Sequence, residues 1–231
     1  MKALRAQMNP HFLFNALNSI QHYITSNEVT FAAKYLSKFA KLMRRSLEYS
    51  EQEIISLEEE VEFLHNYLEI NAKLRFGDKL SYIITVDEDL EEDIIGVPTM
   101  IIQPYVENAI EHGLRPKENG TIQVNFYATT EDDCLLCVIE DNGIGREKAK
   151  ELQQASAKHQ DHKSMGTSIT EKRLQILHNS EEAVSFVNII DLVNPATGNS
   201  AWHKGGSADS YYGNRRLKIS FLLQRFNVDD K

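Results

Sequence analysis

The chain is short of positive charge and has no long apolar run. Its 231 residues include 25 lysines and arginines against 34 aspartates and glutamates, so the net charge is −9. An acidic chain without a basic cluster is a poor candidate for nucleic-acid binding, and we expect no nucleic-acid partner. No apolar stretch of the sequence approaches the roughly 20 residues that a membrane helix needs. The sequence therefore indicates a globular region with a core of its own.

Cysteine is also scarce, and the two that are present do not indicate a site. Cys134 and Cys137 have C-x-x-C spacing, but they lie in the segment Cys-Leu-Leu-Cys-Val-Ile, which is typical of a strand. A separation of three residues places their side chains on opposite faces of a strand. We therefore predict reduced, buried thiols rather than a disulfide or a shared metal.

The residues before Gly77 predict three helices. In the first helix, apolar and polar residues form two neighbouring stripes at helical spacing. The apolar stripe is Leu13, Leu17, Ile20 and Ile24, and the polar stripe is His11, Asn15, Asn18 and His22. Pro10 either begins this helix after an Asn9 cap or kinks a helix that begins earlier. We favour the kink, because residues 3–8 are themselves good helix formers.

The second and third helices are predicted from the same periodicity. The second covers Thr30 to Tyr49, with an inner face of Phe31, Tyr35, Phe39, Leu42 and Met43. The third begins at Ser56, where Ser56 and Glu59 have the spacing of a capping box, and it ends near Gly77. Its inner face is predicted as Leu57, Val61, Leu64 and Leu68.

After Gly77 the sequence alternates between strand and helix signals, which predicts an α+β fold overall. The predicted strands are Leu80–Val86, Thr121–Ala128, Cys134–Glu140, Val184–Leu192 and Leu217–Gln224. The predicted helices are Pro98–His112, closed by Gly113, and Ile169–Leu177, and a polar loop is predicted over Arg146–Ser164.

His11 is the first residue that carries chemistry. A neutral imidazole nitrogen is nucleophilic near neutral pH, so a histidine is a credible phosphate acceptor. Taken alone, the surrounding segment could equally be a core helix with a polar stripe.

The segment Asp141-Asn142-Gly143-Ile144-Gly145 follows a predicted strand directly. Gly143 and Gly145 let the backbone turn tightly and approach a flat ligand, because neither residue has a Cβ. The Asp141 carboxylate at the strand end is suited to accept a hydrogen bond from an exocyclic amino group such as that of adenine. An ordinary Asn-Gly turn is the alternative.

Two further segments supply phosphate and metal chemistry. On a helix, Asn108, Glu111 and His112 share one face, and amide and carboxylate oxygens suit Mg²⁺. Further along, Lys163, Gly166, Thr167 and Ser168 precede a predicted helix. The free N–H groups of a helix start after a glycine can cradle phosphate. The alternatives are a solvated helix face and an ordinary capped surface helix.

Taken in chain order, the segments around Asn108, Asp141 and Gly166 resemble the N, G1 and G2 boxes of the GHKL ATPase superfamily. Four segments narrow the resemblance to the LytS/YehU-type sensor histidine kinases. They are Gln7 to Asn18 (QMNPHFLFNALN), Arg75 to Asp78 (RFGD), Gln103 to Gly113 (QPYVENAIEHG) and Gly166 to Leu174.

The resemblance implies an N-terminal helical hairpin for dimerisation and phosphate acceptance, followed by a GHKL (Bergerat) α/β sandwich. The expected domains are a helical dimerisation and phosphotransfer region at 1–54, a connecting helix at 55–78 and an ATP-binding catalytic domain at 79–231.

The resemblance also implies roles for individual residues, with ATP and Mg²⁺ as cofactors. His11 would be the phosphoacceptor and Asn15 a residue that orients its ring. Asn108 would coordinate Mg²⁺ together with the ATP phosphates, and Asp141 would recognise adenine. The remaining nucleotide-binding residues are expected to be His112, Gly143, Gly145, Lys163, Gly166, Thr167 and Ser168.

The function implied is the kinase core of a two-component sensor that works as a homodimer. It would phosphorylate itself from ATP and pass the phosphoryl group to an aspartate of a response regulator, often one of the LytTR type. We expect sensor and membrane segments N-terminal to this chain, which would then lie on the cytoplasmic side of the bacterial inner membrane.

Two alternatives remain open from the sequence. One is a non-catalytic dimeric GHKL signalling module, and the other is a GHKL ATPase. Pro104 argues against the ATPase, because GHKL hydrolases place a water-activating glutamate at that position, four residues before Asn108.

Overall fold

The computed structural model describes residues 10–77, 79–114, 119–129 and 134–145, and the backbone of residues 186–192, 216–224 and 226–227. The helices are α1 (Pro10–Thr25), α2 (Val29–Tyr49), α3 (Leu57–Ile70) and α4 (Gln103–Asn108). Two π-helical segments continue helices: π1 (Asn71–Arg75) follows α3, and π2 (Ala109–Leu114) follows α4. The strands are β1 (Ile54–Ser56), β2 (Leu80–Val86), β3 (Ile95–Pro98), β4 (Gly120–Ala128), β5 (Cys134–Asp141), β6 (Phe186–Leu192), β7 (Arg216–Gln224) and β8 (Phe226–Asn227).

The chain forms two compact units. The first contains α1, α2, α3 and π1 together with the small antiparallel sheet β1-β3-β8. The second contains α4, π2 and, within the described residues, a five-stranded sheet in the order β2-β4-β5-β7-β6. Helices and strands are both substantial, so the α+β class predicted from the sequence is confirmed.

The buried face of α1 differs from the predicted one. Phe12, Ala16 and Ile20 are buried, whereas Leu17 and Ile24 are exposed. The predicted apolar stripe is therefore buried at Ile20, half-buried at Leu13 and exposed at Leu17 and Ile24. The physical reason is that α1 is apolar on two adjacent rows, and periodicity alone does not say which row meets the core.

The inner face of α2 was predicted more accurately. Tyr35, Phe39 and Leu42 are buried, and Phe31 and Met43 are half-buried. The two faces of α2 differ more in polarity than those of α1, because the lysines and arginines of α2 lie outside its buried apolar row. We conclude that periodicity was sufficient where polar residues marked the outer side.

The start of α3 is fixed by the predicted capping box. Ser56 Oγ accepts from the Glu59 N–H at 3.1 Å, and Glu59 Oε2 accepts from the Ser56 N–H at 3.1 Å. Leu57, Leu64 and Leu68 are buried as predicted. Val61 is only half-buried, however, and the inward position is taken by Glu60, which is 1% exposed.

The sheet of the second unit confirms the predicted strands to within two residues at each end. β4 pairs with β5, β5 with β7 and β7 with β6, all antiparallel. Cys137 on β5 is buried, as predicted. The side chain of Cys134 lies outside the described part of the chain.

The predicted helix Pro98–His112 is wrong at its start, and it changes from α-helix to π-helix before its predicted end. Pro98 closes β3, and Met100 adopts a left-handed φ of 54° in the turn that follows. The helix begins only at Gln103, with Pro104 in its first turn, where a missing N–H costs nothing. Beyond Asn108 the backbone widens into π2 and runs through Gly113 to Leu114.

Some predictions concern parts of the chain outside the described residues. They are the kink before Pro10, the loop Arg146–Ser164 and the helix Ile169–Leu177. Within the described residues, no helix combines the length and apolarity needed to cross a bilayer.

Candidate functional site

Asp141 occupies a closely defined position at the end of β5. The residue is 3% exposed, and its Oδ1 accepts the N–H of Gly143 at 2.8 Å. Asn142 ties the same corner to β4, since its N–H donates to the Thr121 carbonyl and its Oδ1 accepts the Thr121 N–H at 2.8 Å. These bonds fix the carboxylate where the strand ends.

Two glycines bring the turn after β5 against π2. The Ile144 N–H donates to the Gly113 carbonyl at 3.1 Å. A Cβ on Gly143 would lie 2.6 Å from the Gly113 backbone and 2.5 Å from Asp141 Oδ1. A Cβ on Gly113 would lie 2.9 Å from the same oxygen. The packing therefore leaves room for hydrogen alone at both positions.

This contact joins two segments that the sequence suggested separately. Asp141 and Gly143 belong to one motif and Gly113 ends the other, and the structure brings them together. Gly145 adopts a φ of 77°, a left-handed conformation that glycine accepts without strain. Sequence reasoning treated Gly113 only as a helix terminator and missed its place in the site. The signal was the glycine that directly follows the polar helix segment.

Asn108 is the last residue of α4 and is half-buried. The predicted common face of Asn108, Glu111 and His112 assumed α-helical spacing, which ends at this residue. π-Helical segments recur at functional sites. The side chain of His112 lies outside the described part of the chain, as do residues Lys163, Gly166, Thr167 and Ser168.

Gln103, at the start of α4, was not anticipated from the sequence. It is 2% exposed, and its Nε2 has no hydrogen-bond partner among the described residues. A buried amide donor of this kind calls for an explanation, since most such groups are paired. Gln103 begins the QPYVENAIEHG segment, and its buried amide is a polar group that the sequence alone did not single out.

Asn108 is the residue of this site whose side chain suits a nucleotide-bound Mg²⁺. In the described part of the chain, no group of three or more histidine, cysteine, aspartate or glutamate side chains is placed to hold a metal ion. Mg²⁺ commonly takes one or two protein oxygens and completes its shell with phosphates and water. Asn108 can supply one such oxygen.

His11 and Asn15 lie in the first unit, on α1. His11 is in the first turn of the helix, and Asn15, one turn further on, is half-buried. Phe12, which follows His11 directly, is 1% exposed, and its ring centroid lies 4.9 Å from that of Tyr67. The packing of the buried Phe12 side chain therefore fixes the helix backbone beside His11.

The outer sides of α1 and α2 carry a set of exposed apolar side chains, which we call the outer apolar face. The set consists of Phe14, Leu17, Ile24, Val29, Leu36 and Leu47. On each of the two helices these residues share one side by helical spacing, and exposed apolar faces of this kind are candidates for an interaction site.

Comparison with known proteins relates this arrangement to a family. The model of the histidine kinase family matches residues 1–80, which include His11. Sensor histidine kinase YesM of Bacillus subtilis is 31% identical over 145 residues, covering 63% of this chain and 24% of YesM. Sensor protein LytS of Oceanobacillus iheyensis is 37% identical over 149 residues, covering 64% of this chain and 24% of that protein. Over these matched regions the chain is similar to LytS-type sensor histidine kinases.

The matches cover only part of each relative's length. The chain spans about a quarter of the length of the curated sensor kinases it matches. Among solved structures, the histidine kinase domain of the Erythrobacter litoralis EL346 blue-light activated kinase aligns at a TM-score of 0.46. That alignment has 10% identity and covers 93% of this chain and 95% of that domain.

Proposed function

We propose that this chain is the kinase core of a two-component sensor, which phosphorylates His11 from ATP and passes the phosphoryl group to a response-regulator aspartate. The observation that carries the proposal is the histidine kinase match over residues 1–80, which contains the NPHFLFN segment. The contact of Asp141 and Gly143 with Gly113 adds support, because it builds a close-packed corner suited to a flat ligand.

The nucleotide-binding roles that we propose combine that corner with the sequence motifs. Bound ATP supplies the phosphoryl group that is transferred. Asp141 accepts a hydrogen bond from the adenine amino group, and Gly113 and Gly143 keep the backbone close behind that carboxylate. Asn108 donates an amide oxygen to Mg²⁺. Lys163, Gly166, Thr167 and Ser168 hold the phosphates, and His112 and Gly145 complete the set.

The phosphoacceptor step needs little covalent machinery from the protein. A neutral ring nitrogen of His11 attacks the γ-phosphorus, and an N–P bond forms as the bond to the ADP oxygen breaks. Catalysis of such a transfer is mainly positioning and charge neutralisation. We assign to Asn15, one turn along α1, the role of orienting the ring.

Labelling with γ-labelled ATP and Mg²⁺ tests this function. We expect acid-labile label on the wild-type chain and none on His11→Gln. His22→Gln is the matched control, because it removes an exposed histidine from the same helix and should label normally. Unlabelled protein that still binds ATP would instead indicate a non-catalytic signalling module. Steady phosphate release that survives His11→Gln would indicate an ATPase.

The outer apolar face supports a homodimer. Two antiparallel helices cannot bury both apolar sides alone, whereas two such hairpins form a four-helix bundle. We propose that a second copy covers Phe14, Leu17 and Leu36 in this way. The response regulator, which we propose is of the LytTR type, is the second protein partner, and sensor segments outside this chain place the kinase core at the cytoplasmic side of the membrane.

A charge in the outer apolar face should dissociate the dimer. We expect Leu36→Glu to shift the chain from dimer to monomer in size-exclusion chromatography with light scattering, because burying an unpaired carboxylate is costly. Ile83→Glu is the control: Ile83 is similarly exposed but lies on β2, outside the face. A dimer that survives Leu36→Glu unchanged at micromolar concentration would contradict this arrangement.

A further inference from the structure

Phe12 anchors the turn of α1 that carries His11. Its ring lies 4.9 Å from the Tyr67 ring of α3 and 6.2 Å from the Phe39 ring of α2, measured between centroids. Tyr67 is fully buried, and Phe12 nearly so. A single side chain next to the proposed phosphoacceptor thus packs against both of the other long helices of the unit.

Hydrogen bonds of the Asn71 side chain hold the end of α3 near Tyr67. Asn71, which is fully buried, donates Nδ2–H to the Tyr67 carbonyl at 2.9 Å. Its Oδ1 accepts from Arg75 Nη1 at 2.9 Å. One amide side chain therefore joins the end of α3 to both ends of π1. We call Phe12, Tyr67, Asn71 and Arg75 the aromatic seat.

Neighbouring contacts show why α1 needs such a seat at this end. α1 begins at Pro10, so within the described helix the N–H groups of its first turn have no carbonyl one turn back to bond. π1 also packs against α1, in addition to the contact between Phe12 and Tyr67. Tertiary packing is therefore what holds the first turn in place.

We propose that the aromatic seat positions His11 for phosphoryl transfer, with Phe12 and Tyr67 as positioning residues; the inference rests on His11 being the phosphoacceptor. On a helix, fixing one residue fixes the rotation and height of its neighbour's backbone, so the docking of Phe12 sets the place of residue 11. Transfer between two aligned groups is sensitive to such placement, and a shift of about 1 Å can cost about 100-fold in rate.

The test compares the same substitution at two buried phenylalanines. Phe12→Leu removes the ring from the seat. Phe63→Leu removes a buried ring of α3 whose described ring partner is Tyr49 of α2, at 6.0 Å between centroids. We expect labelling at saturating ATP to fall about 10- to 100-fold in Phe12→Leu, with an unchanged KM for ATP. Phe63→Leu should stay within threefold of the wild-type rate.

A small phosphodonor separates positioning from general damage. Phosphoramidate does not depend on alignment with the nucleotide site, so it should label Phe12→Leu at the wild-type rate. Tyr67→Leu should reproduce the slow labelling by ATP, and Tyr67→Phe, which keeps the ring, should restore it. Equal ATP-dependent rates in Phe12→Leu and Phe63→Leu, or a parallel fall with phosphoramidate, would overturn the inference.

The same experiment distinguishes failure of the inference from failure of the proposed function. If His11→Gln is labelled by ATP as well as the wild type is, His11 is not the phosphoacceptor and the proposed function fails. If wild-type label depends on His11 but Phe12→Leu labels normally with ATP, the kinase function stands and the aromatic seat does not position it.

Discussion

Gly143→Ala should weaken ATP binding by about 100-fold, the equivalent of about 2–3 kcal/mol. The added Cβ would lie 2.5 Å from Asp141 Oδ1 and 2.6 Å from the Gly113 backbone. The Gly113 atoms belong to the backbone of π2 and cannot move aside by a side-chain rotation. The turn after β5 must therefore move instead. The movement would break the Ile144–Gly113 and Gly143–Asp141 hydrogen bonds, and with them the placement of the proposed adenine-binding carboxylate.

A graded glycine series controls for general damage. At Gly113 a Cβ would lie 2.9 Å from a side-chain oxygen, and at Gly120 it would lie 3.2 Å from the side chain of Leu114. Because side chains yield more easily than backbone, we expect the loss of ATP affinity to decrease from Gly143→Ala to Gly113→Ala and to be small for Gly120→Ala. Overpacking should also lower the stability of Gly143→Ala by about 1–3 kcal/mol.

Equilibrium binding of a fluorescent ATP analogue, with thermal unfolding in parallel, measures both effects. The affinities must be compared at a temperature where every variant is folded. A Gly143→Ala chain that binds the nucleotide within threefold of wild type would show that the corner formed by Asp141, Gly113 and Gly143 is not part of the nucleotide site.

The sequence predicted those elements whose local signals agree with their tertiary environment. β4 alternates between apolar and polar residues, and β5 is a short apolar run that ends at turn residues, so both were found almost to the residue. The start of α3 was found for a similar reason, since the side chains of Ser56 and Glu59 make a local, reciprocal pair. Signals of this kind do not depend on which surface the rest of the chain covers.

Errors arose where the outcome depends on residues distant in sequence. The buried row of α1 is chosen by Tyr67 and Phe39, which neither periodicity nor propensity reveals. The close approach of Gly113 to Gly143 could not be predicted either, because it requires a π-helical segment and a strand end to meet. The motif residues themselves were recognisable, but their spatial grouping was not.

The burial of Glu60 could not be predicted from the sequence either, and it affects the stability of the folded chain. Three consecutive glutamates in the first turn of α3 suggest a solvated acidic turn, yet Glu60 is 1% exposed. Its Oε1 has no hydrogen-bond partner among the described residues, and burial raises the pKa of its carboxyl to about 8. The favourable effect of the helix N-terminus on an anion, about 0.3–1 kcal/mol, is too small to offset that desolvation. At neutral pH we therefore expect Glu60 to be protonated in the folded state.

The folded chain should consequently lose stability as the pH rises. The pKa of this carboxyl is about 8 when folded, against 4.5 for an unperturbed glutamate. Because the folded state holds a proton that the unfolded state has lost, the free energy of unfolding falls between pH 4.5 and 8, by at most about 1.4 kcal/mol per pH unit. The stability that the protonated Glu60 carboxyl contributes is fully present below pH 4.5 and is lost above about pH 8.

Glu60→Gln should remove this dependence, because glutamine has nearly the same shape and no ionisation. At pH 8.5 we expect it to be more stable than wild type by roughly 2–4 kcal/mol, with the difference shrinking towards zero near pH 5. Urea unfolding of both proteins from pH 5 to 9 gives the comparison. Glu58→Gln is the matched control, since Glu58 is an exposed acid of the same turn and its substitution should leave the pH profile of wild type intact. Parallel profiles for wild type and Glu60→Gln would mean that the Glu60 carboxyl ionises in the folded state at an ordinary pH, and that water reaches it inside the packed unit.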